Sequence, residues 1–169
     1  MNRTILAAFA ASLAILGAPA APVAAQAYSA ERVIDAVTID DLKAIIGDIG
    51  HEIVSTETES APMIVARTPD GVIYTLQGRA CDDAKSSCKG ITIQALYRGA
   101  DKVTDEDIGR ANQSFAVVKA AVNRERDNYS FTRYLILDHG VTMANIRMNV
   151  TVFLLVQPKS LKIAEDRSE

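Results

Sequence analysis

Few residues in this chain have the type and spacing to do chemistry. Cys81 and Cys88 are its only cysteines, His51 and His139 its only histidines, and Asp105-Glu106-Asp107 its densest run of acids. The two cysteines lack the Cys-x-x-Cys spacing that tunes a reactive thiolate, and two Cys with two distant His make no zinc pattern. The acid triplet follows Thr104 at a helix start, where the macrodipole favours negative charge, and no twelve-residue calcium loop surrounds it. His51 follows a helix stop and His139 sits in a turn beside Asp138, so both read as surface or turn residues. The chain has no Gly-x-Ser-x-Gly elbow, phosphate loop, His-Glu-x-x-His or Gly-x-Gly-x-x-Gly. No catalytic residue, metal site or cofactor is therefore assigned, and the chain reads as a non-enzyme.

The cysteines do support a disulfide if the chain is exported, and its start has the form of a signal peptide. Arg3 supplies the positive end, Ile5 to Leu16 is uncharged, and Gly17 and Pro19 break the run before a small-residue tail. A core of about twelve residues spans roughly 18 Å as a helix, against ~30 Å of hydrocarbon, so cleavage after Ala25 or Ala27 is expected rather than anchoring. A periplasmic or secreted location follows, where an isolated cysteine pair is expected to be oxidised. The residues between the pair, Asp82 to Ser87, are small, polar or charged, as at a loop tip.

Removing residues 1–27 from the 169 leaves 142, one domain's worth, and losing Arg3 takes the formal charge from −3 to −4. Without a basic cluster in the sequence, nucleic acid is not an expected partner. No segment of the mature chain reads as a membrane span, because Arg147 and Pro158 bracket only about ten residues of the last apolar stretch.

The elements that hold these residues begin after a short lead, 28–37. Thr38 caps an expected helix over 39–48 with Ile39, Leu42, Ile45, Ile46 and Ile49 on one face and Gly50 at its end. The period then falls to two. Strands are expected at 53–57, 63–68, 72–78 and 91–97, with Pro69-Asp70-Gly71 as a turn. A helix starts at Thr104, with Ile108, Ala111 and Phe115 sharing a face. Residues 116–122 fit either a helix or a strand, while 130–137 is a strand ending at Asp138-His139-Gly140. The segment 141–156 also fits both. As a helix it carries Met143, Ile146, Val150 and Phe153 on one side and Ala144, Met148, Val152 and Leu155 on the other, so it needs cover from two directions. Residues 158–169 read as a charged tail.

Several strings in this order resemble the YbjN-domain family, described as bacterial sensory transduction regulators. They are the helix ending in Gly50-His51, then Cys81 with Gly90-Ile91-Thr92-Ile93, and Ile108, Asn112 and Phe115 followed by the Asp127-Asn128 turn and Gly140-Val141-Thr142. The resemblance covers about 38–157. It departs at Ala111, where the family usually has an aromatic residue. It implies an α+β fold similar to type III secretion chaperones, a twisted antiparallel sheet with helices packed mainly on one face. It also makes 116–126 a strand and 141–156 a helix, with Ile108, Asn112, Phe115 and Gly140 as structural positions. The family supplies no reaction. Its implied role is regulatory or chaperone-like contact with other envelope proteins, homodimerisation included, for which Met143, Ile146, Val150 and Phe153 are the candidate face, the other reading being that both faces of this helix are core. A small-ligand or lipid-binding module using the open sheet face is the alternative.

Overall fold

The computed structural model describes residues 27–165, so the expected signal sequence, Ala27 apart, and residues 166–169 lie outside the described residues. Helix α1 (Ile39–Asp48) starts in a capping box: Thr38 Oγ1 accepts from the Asp41 N–H, and the Asp41 carboxylate accepts from the Thr38 N–H at 2.9 Å. Arg32 pairs with the same carboxylate. Helix α2 (Asp105–Ser114) repeats the device with Thr104 and Asp107. The acid triplet is thus helix-start chemistry.

Six strands form one antiparallel sheet. They are β2 (Glu52–Glu57), β3 (Met63–Arg67), β4 (Ile73–Cys81), β5 (Cys88–Arg98), β6 (Lys119–Asn123) and β7 (Asn128–Ile136), in the spatial order β2-β3-β4-β5-β7-β6. Alternation decides which side of the sheet is wet. Tyr74 and Leu76 of β4, Ile93 and Ala95 of β5, and Tyr129 and Phe131 of β7 are buried, and their neighbours in sequence are not. The buried side meets α1, α2 and the long helix α3 (Met143–Glu165). One layer of helices on one face of a sheet results. The segments left open by periodicity resolve as the family resemblance implies, with 119–123 a strand and 143 onward a helix.

Two expectations need correction. The lead 28–37 is part of the fold, because β1 (Val33–Ile34) pairs with β8 (Val141–Thr142), and Val37 exchanges two backbone hydrogen bonds with Cys88 at 2.8 and 3.0 Å. Ile34 and Val37 are buried. The tail is also largely helix: α3 runs through Pro158 to Glu165 and buries Gln157, Ser160 and Ala164. Proline removes one helix donor, but packing outweighs that loss here. The Gln157 amide donates to the Tyr97 hydroxyl at 2.8 Å, and the Tyr129 hydroxyl donates to Glu165.

Candidate interaction surfaces

Of the two readings of the first α3 face, partner contact or core, the structure shows core. Met143, Ile146, Val150 and Phe153 are each 0% exposed and belong to the main core. Large apolar side chains at three- and four-residue steps make the stronger stripe, so this side packs on the sheet and the opposite side is left outside. On that outer side Met148 is 54% and Leu155 64% exposed.

Leu155 borders a cleft of about 440 Å³ between α3, the end of α1 and the β3–β4 turn. Ile49, Val72 and Leu154 give it an apolar wall, and Asp48, His51, Asp70 and Arg147 give it charge. Arg147 pairs with Asp48 at 3.4 Å. The β3–β4 turn is built from Thr68, whose hydroxyl donates to Asp70 at 2.5 Å and accepts from the Val72 N–H at 2.9 Å. That bond from Thr68 is the main reason the Asp70 carboxyl sits below its ordinary pKa. His51, expected as a turn residue, is half-buried, and its Nδ1 lies 2.8 Å from the Tyr74 hydroxyl. Burial lowers its pKa, and the charge on Asp70 opposes the shift. Among the described residues no hydrogen bond joins His51 to a carboxylate, and His139 is exposed. The residues of the cleft come from three distant segments.

The second surface is the side of the sheet that no helix covers among the described residues. The register places Gly90 opposite Ile136, Thr92 opposite Tyr134 and Leu96 opposite Ser130. Leu96 is 58%, Tyr134 54% and Ile136 67% exposed there, with Ile73 at 44% on β4. Gly90 is required for this arrangement: a Cβ at that position would lie 2.2 Å from the Tyr134 hydroxyl oxygen. The phenol ring therefore lies across the glycine instead of standing off the sheet.

The remaining sequence candidates are structural. Cys81 and Cys88 face one another across β4 and β5 with their sulfurs at bonding distance, at the neck of the 82–87 loop. Ile108 is buried and Phe115 is half-buried just beyond α2. Asn112 ties α2 to β6, its amide oxygen accepting from the Ala120 N–H at 2.7 Å and its NH₂ donating to the Ala120 carbonyl at 3.1 Å. Gly140 has φ +97°, and a Cβ there would come within 2.8 Å of Val33. It turns the chain from β7 into β8 directly beneath β1. No cluster of three or more potential metal ligands occurs among the described residues, and no helix in them is long and apolar enough to cross a membrane.

No family model matches the sequence, and no curated protein matches it significantly. Solved structures share its fold. An uncharacterised protein from Methanothermobacter thermautotrophicus superposes with a TM-score of 0.56 at 10% identity, over 79% of this chain and 100% of that one. A chain of the ExsC–ExsE complex gives 0.54 at 13% identity, over 77% and 95%. YbjN from E. coli gives 0.49 at 19% identity, over 76% and 90%. The described residues form an α+β fold, an antiparallel sheet of 6 strands with 3 α-helices, similar to that of type III secretion chaperones.

Proposed function

We propose that this protein is an exported, non-enzymatic protein-interaction module of the bacterial cell envelope, with a regulatory or chaperone-like role, and that the uncovered sheet face is where it meets its partner. The observation that carries this reading is a sheet face that no helix covers among the described residues, with exposed Tyr134 and Ile136 at one end of β5 and exposed Leu96 towards the other. Large apolar side chains left on one open face are unfavourable in water and favour association. The shared fold supports it, since one chain with that fold is found in the complex of ExsC with ExsE. The test is in-cell crosslinking of the tagged protein in its own envelope, followed by capture and by measurement of its size in solution. A reproducible protein partner, or a defined oligomer, is expected. A strict monomer with no reproducible partner sinks the reading.

The convergence of His51, Asp48, Asp70 and Arg147 beside an apolar wall favours a second reading, a small-ligand module. Its site would be the cleft on the helix side, not the sheet face. A metabolite that raises the melting temperature of the wild type, and not of a His51→Gln, Arg147→Gln variant, would establish it. A panel of metabolites with no such compound would remove it.

A further inference from the structure

The outward side chains of β4, β5, β7 and β6 follow from strand register. They are Ile73, Thr75, Gln77 and Arg79; Gly90, Thr92, Gln94, Leu96 and Arg98; Asn128, Ser130, Thr132, Tyr134 and Ile136; and Lys119, Ala121 and Asn123. Three are cations and none is an acid. The chain as a whole has a formal charge of −3, so this face has the opposite sign to the protein that carries it. Arg67, on neighbouring β3, is neutralised by Glu52 at 2.9 Å. Arg79, Arg98 and Lys119 are exposed, and among the described residues none has a carboxylate at ion-pair distance. The Arg79 Nε donates instead to Thr92 Oγ1 at 3.2 Å.

These cations flank the exposed apolar residues. Arg79 is opposite Gly90, which is opposite Ile136, so it stands at the Tyr134–Ile136 end. Arg98 is at the other end of β5, beyond Leu96 and roughly 27 Å away at ~3.4 Å per strand residue. Lys119 lies between them in register, opposite Thr132 and hence level with Gln94. A second copy placed face to face about a two-fold axis through β5 would bring these three cations against their own counterparts. An acidic partner gains where a second copy loses. The exposed ion pairs would mainly steer encounter and set partner choice, while the apolar contacts hold the complex.

We propose that the outward face of β4, β5, β7 and β6 docks an acidic polypeptide segment. Its carboxylates meet Arg79, Arg98 and Lys119, and its apolar side chains meet Leu96, Tyr134 and Ile136. This inference rests on the protein-interaction reading and deepens it by giving the partner's chemistry.

The test is selection of random sixteen-residue peptides, displayed on phage, against the exported mature protein at low salt. Peptides rich in Asp and Glu with interspersed large apolar residues should be enriched. Their synthetic forms should bind at least tenfold more weakly to an Arg79→Glu, Arg98→Glu, Lys119→Glu variant, and severalfold more weakly to the wild type at 500 mM salt. A Lys43→Glu change on the helix side should leave binding unaltered. The corresponding triple change to Gln, which removes the charge without reversing it and keeps a polar side chain, guards against misfolding and should also weaken binding. Absence of enriched peptides, enrichment of basic ones, or acidic peptides that ignore both triple variants would overturn the proposal. A partner captured in the envelope that binds the triple variants as well as the wild type would remove this proposal and leave the protein-interaction reading standing.

Discussion

Asn112 shows how one side chain substitutes for a missing strand neighbour. Strand β6 is an edge of the sheet, and the Asn112 amide answers both the N–H and the C=O of Ala120 there. Removing it with Asn112→Ala leaves two backbone groups to water, and a loss of about 1–2 kcal/mol is expected in urea unfolding. Asn112→Asp should be no better, since a carboxylate repels the Ala120 carbonyl that the NH₂ now serves. His51 gives a second residue-level prediction. Burial favours its neutral ring and lowers its pKa below 6.5, with Asp70 opposing. On acidification the unfolded chain takes up this proton before the folded one. Its contribution to stability is therefore complete above pH 6.5 and is lost as pH falls from there through the lowered folded pKa. Unfolding free energy measured from pH 7.5 to 5.5 should decline, and the His51→Gln variant should show a flatter profile. An equal slope in both proteins would contradict the assignment.

At the scale of elements, the cysteine pair closes the β4–β5 hairpin where the 82–87 loop leaves it, and Cys88 also bonds to Val37 through its backbone. With the bridge formed, as export would favour, a Cys81→Ser, Cys88→Ser variant should lose about 2–3 kcal/mol, a loss measurable by denaturant titration. Mass analysis with and without reduction checks the bridge itself, and two free thiols in the exported protein would refute it. The hairpin was legible because its pairing is local: alternating segments flank a polar loop. The end of α3 was not. Pro158 and a run of charges carry the usual marks of a terminus, and the sequence cannot show that Tyr97 and Tyr129 wait on the sheet for Gln157 and Glu165. Ending the chain at Val156 should thus cost about 2–4 kcal/mol, from the exposure of the tyrosines and the loss of buried Ser160 and Ala164. An unchanged melting temperature would mean these turns are dispensable. The choice between the two sides of α3 was hidden for a related reason. Periodicity reported that both were apolar, but only the sheet's position decides which one is covered.

For the whole molecule, the least legible feature is also the one that constrains its boundary. Strand β1 has two residues, and its partner β8 lies more than one hundred positions later, so no local pattern announces the pairing. Once paired, the lead is held tightly. Ala30 accepts from the Ala144 N–H at 3.0 Å, Arg32 accepts from the Met143 N–H at 2.9 Å, and Arg32 pairs with Asp41. These bonds cap the start of α3 and join it to α1, so the helical layer depends on residues that precede the first helix. Processing after Ala25 or Ala27 leaves every one of them in place, whereas a cut beyond Ala30 removes an acceptor from the α3 start. If the proposed export takes place, the processed protein is expected to begin at Gln26 or Tyr28, as read by intact mass. A chain begun at Thr38 should lose buried Ile34 and Val37 together with those caps and melt well below the mature protein. Equal melting temperatures for the two would show that β1 is an accessory to this fold and that processing is free to vary.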